Sequence, residues 1–186
     1  MADYEEEEKI KHLLEVLKRI DSYILSTNQK SAIVISYCAA VVGWLSINLN
    51  KILSDIELPL LFGVGMVSAI ILILSSCYCI WLAVAVVLPV TGSSAVRRNG
   101  DSAIYFGDVA STKWGGSGYV TKLKQLKQTE FVDDLAQQVF TVSTIADAKF
   151  SKIQEMTKVL RLGGILSLGV FLLVLLINSL MTWMAK

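Results

Sequence analysis

"PLLFGVGMVSAIILILSSCYCIWLAVAVVL", residues 59–88, contains no Asp, Glu, Lys or Arg, and the charge-free block around it runs from 58 to 96. Thirty residues of helix are about 45 Å long at about 1.5 Å per residue. A hydrocarbon core of about 30 Å is crossed by roughly 20 apolar residues. The stretch is therefore longer than one upright span. Pro59 suits a first helical turn, and Pro89 is a stop, because the residue before a proline is pushed out of the helical region. A tilted span fits, as does a helix that leaves the membrane for one or two turns. A re-entrant pair of short spans is the weaker reading, since nothing between Gly65 and Leu88 resembles a turn.

Two further blocks lack charge, residues 31–50 and 162–185. The whole chain of 186 residues is 54% hydrophobic and 18% charged, against about a quarter charged in a soluble domain, and its mean hydropathy is +0.58. Three buried helices of this length in so short a soluble chain would have almost nothing to cover them. The expected fold is all-α: an integral membrane protein with three transmembrane helices, an N-terminal amphipathic helix and a mostly helical cytosolic segment between spans two and three. The expected parts are a leader helix over 1–30, a transmembrane hairpin over 31–90 with spans at about 31–50 and 59–88, a cytosolic sensing and coupling segment over 91–161, and a third span over 162–186.

The leader does not read as a secretory signal, which opens with a short basic region directly before its apolar core. Here a charged stretch precedes the first apolar block. Ile10, Leu13, Leu14, Leu17, Ile20 and Ile24 fall at helical spacing. The acidic run Glu5–Glu8 stands at the N-terminal end, where negative charge suits the helix dipole, and reads as a solvated cap and not a metal site.

Lys and Arg counts give the orientation. The leader holds five, the short connection over 48–58 holds Lys51 alone, residues 91–161 hold ten, and the tail holds Lys186. Positive residues stay in the cytoplasm. This predicts a cytosolic N-terminus, a cytosolic 91–161 segment and a C-terminus on the far side.

Within that segment, residues 91–118 are rich in Gly and Ser and carry the basic pair Arg97 and Arg98. Ile104 to Phe106 reads as a short strand or a packed extended run. After Gly118 the pattern turns helical, with Leu135, Val139, Val142, Ala146 and Ile153 on a heptad-like stripe. A break is expected near Thr129, and the later helix runs toward the third span. Gly163 and Gly164 at that junction suit a hinge or close helix packing. Small residues mark packing faces in lipid: Ala32, Ser36, Ala40 and Gly43 on the first span, Gly63 and Gly65 on the second, Gly164, Ser167 and Gly169 on the third. They suit packing within the chain or assembly of a homo-oligomer.

The motif search points away from enzymes. His12 stands alone on the leader. Cys38, Cys77 and Cys79 lie in apolar blocks, and the last two are too close for a C-x-x-C pair or a zinc ligand set. "GGSG" at 115–118 lacks a preceding strand and a Lys-Ser/Thr end, so it reads as a linker. No acid or base lies inside a span, which leaves a proton relay or charged transport path unsupported. Neither cofactor, metal nor nucleic acid is expected.

Four features resemble the Pycsar effector family, membrane proteins of bacterial antiphage defence. "NQKSAIVIS" opens the first span with a Lys followed by a small and an apolar residue. "AVVLPV" closes the second with a proline. "IYFGDVAS" carries an aromatic-Phe-Gly-Asp-aliphatic-Ala motif. "DDLAQQVFTVSTIADAKFSKI" begins with an acidic-Leu pair and ends with Lys149 before an aromatic. The similarity covers residues 29–165. Asn28 departs from it, holding the place where the family often has an acid before the first-span lysine.

The resemblance implies a two-part device at the bacterial inner membrane: a nucleotide cyclase makes a cyclic pyrimidine mononucleotide, cCMP or cUMP, and the effector answers by impairing the membrane, causing growth arrest or death. On this reading the C-terminus is periplasmic. Tyr105, Phe106 and Trp114 are candidates to stack on the base, and Arg97, Arg98 and Lys113 to meet the phosphate. Phe106, Gly107, Asp108 and Lys149 also read as architecture, with Gly107 allowing a turn and Asp108 capping the next helix. The alternatives are a membrane-anchored scaffold recruiting a cytosolic partner through the long helix, and a constitutive small channel. A channel wants polar lining, and the spans offer little beyond Ser, Asn48, Asn178 and Thr182.

Overall fold

The structure, a computed structural model, describes residues 2–88 and 102–184. Every regular element among them is helical: α1 (Ala2–Ser54), α2 (Pro59–Val87), α3 (Phe106–Ala110), α4 (Gly115–Gln125), α5 (Gln128–Val159), a π-helical turn (Leu160–Ile165) and α6 (Leu166–Met184). Three helical stretches are long and apolar enough to cross a membrane: Glu5–Ser54, Pro59–Val87 and Gln128–Met184.

The leader and the first span form one helix of 53 residues. Neither Pro nor Gly occurs before Gly43, so no breaker stands at residue 30. The Pro59 start of α2 is as expected, at the first helical turn. The break before the long helix falls at Leu126 and Lys127, two residues earlier than Thr129, with the Glu130 carboxylate accepting the Lys127 N–H at 3.0 Å. Residues 104–106 are not a strand: Phe106 already belongs to α3. Helix α4 begins at Gly115 rather than after Gly118.

The chain divides into two compact units. One contains residues 2–26 and 102–149 of the described chain, the other 27–88 and 150–184. In the second unit, Leu45, Ala69, Leu72 and Phe171 form one buried cluster and Cys38, Cys79, Leu82, Ala83 and Met156 another. These place α1, α2 and the α5–α6 helix side by side. The small residues of the spans separate into two sets. Gly65, Gly164 and Ser167 are buried in this packing, and a Cβ on Gly65 would lie 3.3 Å from Val174. Ala32, Ser36, Ala40, Gly43, Gly63 and Gly169 face outward, and nothing lies within 4 Å of the Cβ position of Gly43, Gly63 or Gly169.

Charged side chains mark the upper end of α2. The Tyr78 hydroxyl donates to Glu155 at 2.6 Å, the Lys152 ammonium donates to the Ala85 carbonyl at 3.5 Å, and the Tyr78 and Trp81 rings stack at 5.7 Å. Pro59 to Tyr78 is twenty residues, about 30 Å of helix, which matches one hydrocarbon core. The rest of α2 runs beside the polar end of α5.

Candidate functional site

The site is built in the first unit on residues 102–118. Ser102 opens it as a turn-forming residue: its hydroxyl accepts the N–H groups of Ile104 and Tyr105 at 3.1 and 2.9 Å and donates to Asp134 at 3.1 Å. The same Asp134 oxygen accepts the Ala103 N–H at 2.7 Å. Two residues of α4 hold the other side. The Tyr119 hydroxyl donates to the Ala103 carbonyl at 2.8 Å, and the Lys122 ammonium donates to the Ser102 carbonyl at 3.2 Å. Ala103 is buried at the centre. A short segment without regular structure thus has its backbone polar groups satisfied by side chains, as a buried loop requires.

Asp108 closes this knot. Its carboxylate accepts the Ser102 N–H at 3.2 Å from inside the first turn of α3. It therefore fastens the segment before its own helix and does not cap the next one. Gly107 makes no turn either, since it lies within α3. Its reason is steric: a Cβ there would lie 2.7 Å from the Tyr105 ring. Tyr105 and Phe106 pack ring on ring at 4.8 Å, tilted by 50°, with Tyr105 half-buried and Phe106 exposed.

The turn from α3 to α4 contains the backbone outlier of the described chain. Trp114 has φ +69° and Gly115 +60°. A bulky residue with positive φ is rare and is held only where its surroundings dictate it. Here Gly118 comes so close that a Cβ on it would run into the Lys113 carbonyl. The Gly115 N–H donates to the Thr112 carbonyl at 3.1 Å, and the Ser117 hydroxyl to the Trp114 carbonyl at 2.9 Å. The Trp114 side chain is left 87% exposed. It stands on a cleft of about 670 Å³, whose lining includes Lys113, Ser117, Gly118, Lys122 and Glu130. Two lysines, an indole and the N-terminal end of an 11-residue helix therefore share one concavity. A helix N-terminus attracts anions, and an indole face accepts a flat ring.

Of the sequence-derived residues, the structure brings Lys113 and Trp114 to the cleft, while Tyr105 and Phe106 lie outside its lining. Arg97 and Arg98 lie outside the described residues. Lys149 is buried at the last position of this unit. Gly163 and Gly164 belong to the other unit, inside the π turn. Sequence reasoning missed Ser102, Tyr119, Lys122 and Asp134. Asp134 had a signal in the acidic-Leu start of the long helix. Tyr119 and Lys122 had only their i, i+3 spacing on one helix face. Among the described residues no cluster of His, Cys, Asp or Glu forms a metal site.

The sequence model of a family described as Pycsar effector protein domain matches residues 12–182. The chain belongs to the Pycsar effector family, so it is a transmembrane effector of the Pycsar antiphage system. No curated protein and no solved structure matches it.

Proposed function

We propose that this Pycsar effector senses a cyclic pyrimidine mononucleotide, cCMP or cUMP, in the Trp114 cleft and responds by impairing the inner membrane. The observation that carries the reading is Trp114 itself: an exposed indole held in a left-handed turn beside Lys113, Ser117 and Lys122. Stacking of a base on an aromatic ring is worth about 1–3 kcal/mol. Lys113 and Lys122, with the start of α4, supply charge for the cyclic phosphate. Tyr105 and Phe106 serve the architecture that holds the cleft.

The remaining parts of the reading are the topology and the assembly. The N-terminus and the cleft are cytosolic and the C-terminus periplasmic, which follows the Lys and Arg distribution. The effector works with a nucleotide cyclase that supplies its signal. It assembles as a homo-oligomer through the outward small residues of α1, where Gly43 leaves open space for another helix. No step here makes or breaks a covalent bond, and none calls for a cofactor.

A scaffold role has one observation in its favour. Phe106, Val120, Leu123 and Phe140 are exposed apolar side chains in the first unit, and exposed apolar surface on a cytosolic part suits a protein partner. Calorimetric titration of the full chain in nanodiscs with cCMP, cUMP, cAMP and cGMP separates the two. The sensing reading expects saturable binding of a pyrimidine nucleotide and none of the purines. Absence of binding to all four would leave the scaffold.

A further inference from the structure

Helix α5 joins α6 without a loop. The two are continuous through the π turn Leu160–Ile165, with Val159 and Leu166 both in ordinary right-handed helical conformation at its ends. The Leu166 N–H donates to the Arg161 carbonyl, five residues back. A π turn is one residue inserted into an α-helix. Passing that residue out of the turn rotates one flanking helix about its axis by about 100° and shifts it by about 1.5 Å relative to the other.

The contacts on either side of the turn differ in kind. Below it, α6 is held to α2 by close packing: Phe171 against Leu72 and Ala69, and Val174 against Gly65. Above it, α5 meets α2 through Met156, buried with Cys79, Leu82 and Ala83, and through polar contacts: the Tyr78–Glu155 bond, the Lys152 bond to the Ala85 carbonyl and a long Cys79 Sγ contact to the Met156 carbonyl at 3.7 Å. Tyr78, Lys152 and Glu155 are exposed, and exposed polar contacts of this kind add little stability. At the turn itself, a Cβ on Gly163 would lie 2.6 Å from the Ser75 Cβ. The backbone of the turn thus rests directly on α2, between an α6 segment held by apolar packing and an α5 segment that adds exposed polar contacts to one buried side chain, Met156.

We propose that the Leu160–Ile165 turn is a register switch. Residues 150–159 of α5 turn by one residue position about α2 while α6 stays packed, and the Gly163–Ser75 contact is the detent that holds the resting register. As the route from signal to membrane, this rests on the sensing reading above; as a property of the helix, it does not. A bending hinge at Gly163 would tilt α5 and leave its rotation unchanged. A switch rotates α5 and leaves its axis in place. A rotated α5 would withdraw Met156 from the buried cluster with Cys38, Cys79 and Leu82 and change the surface that the top of the spans presents.

The test uses the full chain in lipid nanodiscs with Cys77→Ser, leaving the buried Cys38 and Cys79 unlabelled. Nitroxides on Thr157→Cys and Val87→Cys report the distance between α5 and α2 by pulsed electron resonance. Deleting Leu162, an exposed residue of the turn, converts the π turn to α-helix. A side chain on a helix of about 5–6 Å radius moves by about 8 Å on turning 100°. The expected result is a main distance shifted by several Å and by at most about that amount. Gly163→Ala is expected to shift it in the same direction, and Gly163→Ala with Ser75→Gly to restore it, since the Ser75 Cβ is then gone. An unchanged distance in Gly163→Ala, or a shift that Ser75→Gly does not reverse, overturns the switch even where the deletion variant fails to insert. Added cCMP and cUMP separate the two proposals. Variants that shift while nucleotide binds and moves nothing leave the switch standing as a property of the helix and take it out of the route from signal to membrane.

Discussion

One oxygen of Asp134 accepts both the Ala103 N–H at 2.7 Å and the Ser102 hydroxyl at 3.1 Å, across 31 and 32 residues of sequence. This carboxylate is the point at which α5 holds the segment before α3. Replacing it removes a charged acceptor from two donors, one of them on a buried residue. Hydrogen bonds to charged groups contribute about 1.5–3 kcal/mol each. Asp134→Ala should therefore lower stability by about 2–3 kcal/mol and loosen residues 102–105. Asp134→Asn keeps an acceptor oxygen and should cost about half as much. Thermal unfolding with hydrogen exchange on the 102–119 peptides measures both. Unaltered exchange there in Asp134→Ala would mean the segment is held by α4 alone.

Trp114 separates stability from binding. Its φ of +69° is unfavourable for any side chain but natural for glycine. Trp114→Gly should thus leave the fold intact or stabilise it by up to about 1 kcal/mol, since an 87% exposed indole contributes little packing. It should weaken nucleotide binding by about 5- to 150-fold, the equivalent of about 1–3 kcal/mol of stacking. A variant that binds as tightly as the parent would remove the indole from the ligand site.

Gly118 predicts the reverse pattern. Its Cβ position is occupied by the Lys113 carbonyl, so Gly118→Ala forces the Lys113–Gly115 turn open. The turn carries both Lys113 and Trp114, and binding should fall together with stability. Gly116→Ala is the control, because nothing lies within 4 Å of its Cβ position and its φ is not left-handed. If Gly118→Ala melts and binds like Gly116→Ala, the close approach has no energetic weight.

The spans were legible because hydrophobic length is a one-dimensional property. Twenty uncharged residues identify themselves without reference to the rest of the chain. The continuity of α1 followed from the same kind of fact, the lack of any breaker around Lys30, although the change from charged to apolar residues suggested a boundary there. The left-handed turn was legible only as a glycine-rich stretch. The glycines at 115–118 read as a linker, whereas α4 already begins at Gly115 and positive φ falls on Trp114, under constraint from Gly118. The anchors Asp134, Tyr119 and Lys122 were not legible as anchors, because their partners are backbone groups 16 to 31 residues away. The π turn was signalled only as a Gly pair. That pair says a backbone approaches something closely; it does not name Ser75.

The last prediction concerns the outward face of α1. Ala32, Ser36, Ala40 and Gly43 are all exposed, and Gly43 has open space where a side chain would stand. The buried residues of the same span, Cys38 and Leu45, lie on the other side of the helix. Enlarging the outward residues should therefore not disturb packing within the chain. In lipid, apolar side chains gain little by leaving the acyl chains, and close backbone approach at small residues drives helix association. Gly43→Leu and Ala40→Leu should keep expression, insertion and melting near those of the parent while reducing the assembled fraction. Crosslinking in native membranes and mass photometry in mild detergent read that fraction directly, and phage protection should fall with it if assembly is needed to impair the membrane. Full assembly in the double variant would move the contact to another face, with Gly63 and Gly169 the next positions to enlarge. A monomeric parent in both measurements would remove the oligomer altogether.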